Sequence, residues 1–260
     1  MKNIHNISRG TIQQMIILLL LTMMFSCKRS TQEDNSRIEE LKARIEARTK
    51  KIRLDSIRLE KKKKRLDSIR KRKEALKFDD DEFVNIEKLS SDFILDVKYA
   101  TTDNFLKSKV YDCQRCFVRG AVVKSLLAAQ QELLQKGYKF KLFDCFRPHS
   151  VQKKMWEIYP RPGYVADPKG GSVHNRGAAL DLTLTDLQGK ELDMGTGYDH
   201  FGREAAHSYT DLSEEVKANR KLLRATMERH GFQTIRTEWW HYNYAGGRKF
   251  PISDFTWKCN

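Results

Sequence analysis

The stretch "GGSVHNRGAALDLTL" (residues 170–184) decides how the rest of the chain is read. Its first half closes a loop dense in proline and glycine that begins near Tyr159. From Ala178 the chain reads as a strand that turns back on itself around Asp186–Gly189. At the junction, His174 and Asp181 lie seven residues apart, with Gly177 and Ala179 between them. A second stretch, "TEWWHYNY" (237–244), sets Glu238 and His241 three residues apart around two tryptophans. His174, Asp181 and His241 together offer two imidazoles and a carboxylate. Hydrolytic zinc sites draw three protein ligands from that set and leave a fourth position for water. A plainer reading stands beside it, in which Trp239 and Trp240 are core aromatics and the polar residues merely flank them. The C-terminal run "FQTIRTEWWHYNY" reads as one β-branched and aromatic strand. Positions three apart on a strand face opposite sides, so Glu238 and His241 converge only where a twist, bulge or turn intervenes near Trp239–Trp240.

Outward from these stretches, the part from residue 78 has the size of one domain with its own core. Phe93, Leu95 and Val97 alternate as in a strand, and "YKFKLFDCF" (138–146) does the same. "RGAVVKSLLAAQQELLQKGY" predicts a helix with an apolar stripe that Gly137 stops, and "HSVQKKMWEIY" a shorter one after Pro148. Ser213, the acids that follow it and Gly231 bound a third helix. This mixture predicts an α+β fold, an antiparallel sheet with helices packed on it.

The segments before residue 78 are of other kinds. Residues 1–26 carry Lys2 and Arg9 and then the run "MIILLLLTMMF", which fits the core of a signal peptide and falls short of a bilayer span. Cys27 directly follows and resembles the lipidated cysteine of bacterial lipoproteins. Residues 28–77 contain 20 Lys+Arg against 9 Asp+Glu, which is +11 of the +15 net charge of the chain. No glycine or proline interrupts them, and Ile38, Ile45, Ile52, Leu59 and Leu66 recur every seven residues. That is half of a coiled-coil seam, expected as a charged helical stalk with weak self-association. A helix from Glu33 to Lys77 would reach about 65–70 Å. A leader directs the domain to the cell envelope, lipid-anchored on the periplasmic side or at the outer membrane. There the basic stalk meets anionic head groups and wall polymers rather than nucleic acid. The remaining 78–260 region is nearly neutral, so its substrate need not be a polyanion.

Beyond Cys27 there are four cysteines, Cys113, Cys116, Cys145 and Cys259. "CQRC" has the spacing of half a zinc ribbon, but the second pair that a ribbon needs does not occur. One or two disulfides among the four fit an oxidising compartment, and the sequence leaves their partners open.

"SVHNRGAALD" matches S-x-H-x-x-G-x-A-x-D and "EWWH" matches E-x-x-H, the two signatures of the D-alanyl-D-alanine dipeptidases of the VanX type. "VKYATTDNF", "FDCFRP", "DLTLTDLQGKELDMGTGYD" and "NRKLLRATMERHGF" also resemble that family's segments, in the same order, from about Leu89 to Tyr244. The resemblance implies a zinc-peptidase core similar to that of lysostaphin and the Hedgehog signalling domain, with the site on the sheet. It makes His174, Asp181 and His241 the ligands of one zinc ion and Glu238 the general base on the water that the zinc holds. It gives Arg147 to the oxyanion, with Asp144 behind it, and Asp199 to the substrate ammonium, with Ser172 as a hydrogen-bonding partner. Phe146 departs from the family, which has tyrosine there. The implied activity is hydrolysis of small D,D-dipeptides in wall-peptide turnover. Trimming of stem peptides by a carboxypeptidase and an inactive wall-binding module are the rival expectations. His149, His200, His207 and His230 take no role, although His200 and His207 fall where they could line the pocket. His230 is expected at a helix C-terminus, favoured by the dipole.

Overall fold

The computed structural model of the chain describes residues 35–64, 66–67 and 77–259. The chain divides into two units, residues 1–75 and 76–260. The expected leader and Cys27 lie outside the described residues, as does part of the expected stalk. Among the described residues, no helix is long and apolar enough to cross a membrane. In the first unit, residues 35–64 are helical and exposed throughout. The heptad file keeps its apolar side chains in solvent, from Ile38 at 48% exposure to Leu59 at 69%. Pairs such as Arg44–Glu40 at 2.7 Å decorate its surface and contribute a few tenths of a kcal/mol each.

The second unit is the α+β domain. Its main sheet has five strands, β2 (Ile94–Leu95), β4 (Tyr138–Asp144), β5 (Ala179–Asp186), β6 (Phe232–Thr234) and β7 (His241–Tyr244), in the order β2-β4-β5-β7-β6. A two-stranded ribbon joins β1 (Phe83–Asn85) to β3 (Phe117–Arg119). All pairings are antiparallel except β2 with β4, which is parallel, so the expected sheet is antiparallel only in its larger part. Three helices complete the domain: α1 (Gly120–Gln135), α2 (His149–Ile158) and α3 (Glu214–Arg229). Each sits where the sequence places it. Pro148 occupies the N-cap position of α2, and the Ser213 hydroxyl accepts from the Val216 N–H at the start of α3.

β5 is the spine of the domain. Leu180, Leu182 and Leu184 are fully buried in the main core with Val122, Leu126 and Leu133 of α1 and Leu223 and Met227 of α3. The alternate residues Asp181, Thr183 and Thr185 are buried as well, as expected of a central strand covered on both faces. A second apolar cluster of Val97, Tyr99, Leu106, Val110, Tyr111, Met155 and Val165 includes Met155 of α2. Beyond Asp186 the strand pair shrinks to a single bridge, Thr185 with Glu191. The Asp186 carboxylate caps the turn by accepting from the N–H groups of Gln188 and Lys190.

The C-terminal run is not one strand. β6 ends at Thr234, residues 235–240 form a connection with bends, and β7 begins at His241. Packing overrides strand propensity here. Trp239 and Trp240 are both buried, and Trp239 Nε1 donates to Thr196 Oγ1 at 2.8 Å. The break required between Glu238 and His241 is therefore present. Trp239 and Trp240 are core aromatics, as the plainer reading of the motif expects.

The candidate metal centre

The register of the sheet assembles the centre. Asp181 on β5 pairs with His241 on β7. A bulge between Leu142 and Asp144 shifts β4 by one residue, so that Asp144 stands opposite Asp181 on the other side. Asp144, Asp181 and His241 thus form one row across three strands. His174 comes from a 3-10 turn (His174–Arg176) that Gly177 ends at φ 70°. A Cβ at Gly177 would stand 2.6 Å from Cε1 of Phe83, so both conformation and space require glycine at this point of the motif.

Three donor atoms meet. His241 Nδ1 lies 2.9 Å from Asp181 Oδ1. His174 Nε2 lies 3.1 Å from His241 Nδ1 and 3.3 Å from Asp181 Oδ1. All three residues are buried, and among the described residues they form the one His/Asp cluster able to hold a metal ion. Each is fixed from behind. His174 Nδ1–H donates to the Cys145 carbonyl at 2.7 Å and His241 Nε2–H to Asn243 Oδ1 at 3.0 Å. Those bonds select the tautomers that turn Nε2 of His174 and Nδ1 of His241, with their lone pairs, toward the common point. Tyr198 donates to Asp181 Oδ2 at 2.9 Å and leaves Oδ1 to face the imidazoles. Burial alone would raise the Asp181 pKa, but His174 and His241 outweigh it and hold the carboxylate ionised. Burial likewise opposes charge on His241, and Asp181 overcomes it to raise that pKa. The donor set, its tautomers and its charge all fit a divalent metal.

The trio opens into a cavity of about 370 Å³ whose wall also holds Arg147, Ser172, Asp199, Glu238 and Arg248. Arg147 is buried. Its Nε and Nη2 donate to Asp144 Oδ2 at 3.1 and 2.6 Å, and Nη1 donates to Gln152 Oε1 at 3.0 Å. Burial works against its charge, yet Asp144 and the surrounding tyrosines raise its pKa well above the ordinary value. Asp144 is in turn held by Tyr111 Oη at 2.7 Å and by the Cys145 N–H. Glu238 is half-buried and accepts no hydrogen bond from the described residues. Burial raises its pKa; His241, His174 and Arg147 pull it down, and Asp181 pushes it further up.

Asp199 adopts φ 57°, one of two non-glycine residues of the described chain in the left-handed region. Such strain, modest for aspartate, is retained where surrounding structure imposes it. Tyr99 Oη donates to it at 3.0 Å, and burial together with Asp181 raises its pKa well above the carboxylate range. Ser172 lies on the same cavity wall; its oxygen accepts from the His174 N–H at 3.2 Å, so it also braces the turn that carries His174.

The disulfides are Cys113–Cys259 and Cys116–Cys145. The second ends at the residue whose carbonyl orients His174. Phe146, the departure from tyrosine, packs against Phe83 at 4.2 Å in an aromatic cluster with Phe255 and Trp257. His200 and His207 do not line the cavity. His200 pairs with Glu204, and His230 caps its helix while bonding Glu132 at 2.9 Å, so that residue has a specific partner beyond the dipole.

Residues 79–255 match a family profile of peptidases described as D-ala-D-ala dipeptidase. The chain belongs to this family. It is a metallopeptidase by that membership. It is 33% identical over 182 residues to the D-alanyl-D-alanine dipeptidase of Escherichia coli, covering 70% of this chain and 94% of the relative. The enzyme of the same name from Enterococcus faecalis is 34% identical over 171 residues, covering 56% of this chain and 83% of the relative. That from Streptomyces coelicolor is 32% identical over 185 residues, with 62% and 90% covered. Tyr198, Asn243, Gln152 and Tyr111 escaped the sequence reading. Asn243, two residues beyond His241 on a strand and hence on the same face, carried the one signal that could have exposed it.

Proposed function

We propose that the domain hydrolyses D-alanyl-D-alanine and related small D,D-dipeptides, with one zinc ion held by His174, Asp181 and His241. The observation that carries the reading is the meeting of His174 Nε2, Asp181 Oδ1 and His241 Nδ1 in one small cavity with Glu238, each backed by its own protein partner. Tetrahedral ligands at about 2.0–2.1 Å from zinc stand roughly 3.3 Å apart. The spacing of 2.9 to 3.3 Å is close to that. When bound, zinc supplies acidified water and a polarised scissile carbonyl.

The protein's own residues do the rest. Glu238 takes the proton of the attacking water and delivers it to the departing amine; its raised pKa suits it to both halves of that transfer. A guanidinium has five N–H donors, and Arg147 keeps two after serving Asp144 and Gln152. Those two meet the carbonyl oxygen as charge gathers there, and the ion pair behind them holds the guanidinium still. Asp199 accepts from the substrate ammonium, whose arrival relieves a carboxyl group that burial and Asp181 disfavour as an anion. The Ser172 hydroxyl retains its own proton to donate. The leader, Cys27 and two disulfides support an exported, lipid-anchored protein that recovers wall dipeptides. The exposed heptad file of the stalk would pair with a second copy, and its excess of positive charge weakens that pairing.

Comparing D-alanyl-D-alanine with its N-acetyl derivative tests the substrate. The dipeptide is expected to be hydrolysed at least a hundredfold faster. The reverse preference would favour trimming of stem peptides, and metal-loaded protein inert on both would leave a wall-binding module.

A further inference from the structure

A free dipeptide has two charged ends, and the reading above provides for one. Asp199 faces the ammonium; the carboxylate still needs a cation. Two arginines line the cavity, Arg147 and Arg248. Arg147 is held by Asp144 and Gln152, and its two remaining donors are assigned above to the scissile carbonyl oxygen. Arg248 is exposed, and its guanidinium has no hydrogen-bond or ion-pair partner among the described residues.

The mount of Arg248 is firm. It lies in the 3-10 turn Gly247–Lys249, which Gly246 enters at φ 75°. Gly247 is buried, and a Cβ there would stand 2.6 Å from Cβ of Ala178. The backbone of the turn therefore rests on the residue that leads into β5 and Asp181. Arg176 Nη1 donates to the carbonyls of Arg248 and Phe250, at 3.4 and 2.6 Å, and the Phe250 ring is buried. A side chain at the mouth of a cavity is thus carried on a backbone that does not yield.

We infer that Arg248 binds the C-terminal carboxylate of the substrate and is a specificity-determining residue of this site. A planar guanidinium receives a carboxylate through two parallel N–H donors. With Asp199 and Arg248 both lining the cavity, the site recognises the two charged ends of one small molecule, with the scissile bond held beside the metal ligands. The inference rests on the dipeptidase reading.

The test compares D-alanyl-D-alanine with its C-terminal amide on the zinc-loaded full chain. Wild type is expected to prefer the free acid by roughly tenfold in kcat/KM, the size of one charge-assisted hydrogen-bonded contact. Arg248→Gln erases that preference by raising KM for the acid, changes kcat/KM for the amide by less than about twofold, and loses the salt sensitivity of KM. Arg248→Lys restores part of the preference. Equal losses on acid and amide, or no loss on either, would overturn the assignment while leaving the dipeptidase reading intact. A wild-type protein that cleaves neither compound would refute that reading and the carboxylate assignment with it.

Discussion

Replacing Tyr198 by phenylalanine removes one oxygen and isolates what the support behind a ligand contributes. The hydroxyl donates to Asp181 Oδ2 at 2.9 Å. Burial, followed by Asp181, raises its pKa far enough that it remains a donor at any working pH. The ring stays packed between Phe143 at 4.8 Å and Trp240 at 5.5 Å, so the change leaves no void larger than a hydroxyl. Loss of such a support behind a ligand costs about 10- to 100-fold in metal affinity, or roughly 1.4–2.7 kcal/mol. Because metal binds the folded chain, a thirtyfold weaker site also lowers the zinc-dependent gain in stability by about 2 kcal/mol. Competition against a chromophoric zinc chelator measures the first quantity, and denaturant unfolding with and without zinc measures the second. Turnover at saturating zinc should fall only a few-fold. An affinity within twofold of wild type would refute the idea that Tyr198 orients Asp181.

Other consequences follow from the same geometry. The Cys116–Cys145 disulfide spans 29 residues; Cys116→Ala with Cys145→Ala should lower stability by about 3–4 kcal/mol and weaken zinc binding by loosening the carbonyl that holds His174. Unchanged zinc affinity in that variant, measured by the same competition, would mean that β4 alone positions the carbonyl. Burial, then Arg224 and Arg220, lowers the His207 pKa to about 4, and its Nε2 has no hydrogen-bond partner. The unfolded chain therefore takes up that proton first as pH falls. Stability is complete above about pH 6.5 and declines between pH 6.5 and 4, by on the order of 2 kcal/mol after allowance for partial exposure. His207→Leu should flatten that limb in denaturant titrations at pH 7 and 4.5. Arg229, Lys136 and His230 hold Glu132 at a pKa of about 2, so its contribution is present above about pH 4.5 and is lost from there downward. Glu132→Gln should remove that lower limb alone.

How much of this was legible depends on the range of the interaction. The helices were readable because their signals are local: an apolar stripe in α1, Pro148 before α2, and Ser213 and Gly231 around α3. The grouping of His174, Asp181 and His241 was readable because two short motifs carry these residues, with the glycine that a tight turn needs, and resemble the signatures of a known peptidase family. The break before His241 was legible only as a requirement. Residues 235–240 have strand propensity, and it is Trp239 and Trp240, anchored in the core and on Thr196, that bend them away. The bulge at Phe143, which aligns Asp144 with Asp181, has no mark in the alternating run "YKFKLFDCF". Tyr198 and Gln152 are polar residues whose partners lie on other elements, and the pairing of four cysteines is likewise a matter of tertiary proximity. Propensity and spacing do not encode such contacts.

The most direct test of the account is zinc content together with D-alanine release, measured on wild type and on Glu238→Ala. Removal of a general base costs about 10²–10⁴ in rate, whereas His174, Asp181 and His241 remain in place in the variant. The account predicts about one zinc per chain in both proteins and D-alanine release that falls by that factor in the variant. Release by Glu238→Ala within a few-fold of wild type, or a wild-type protein that binds no zinc, would contradict it.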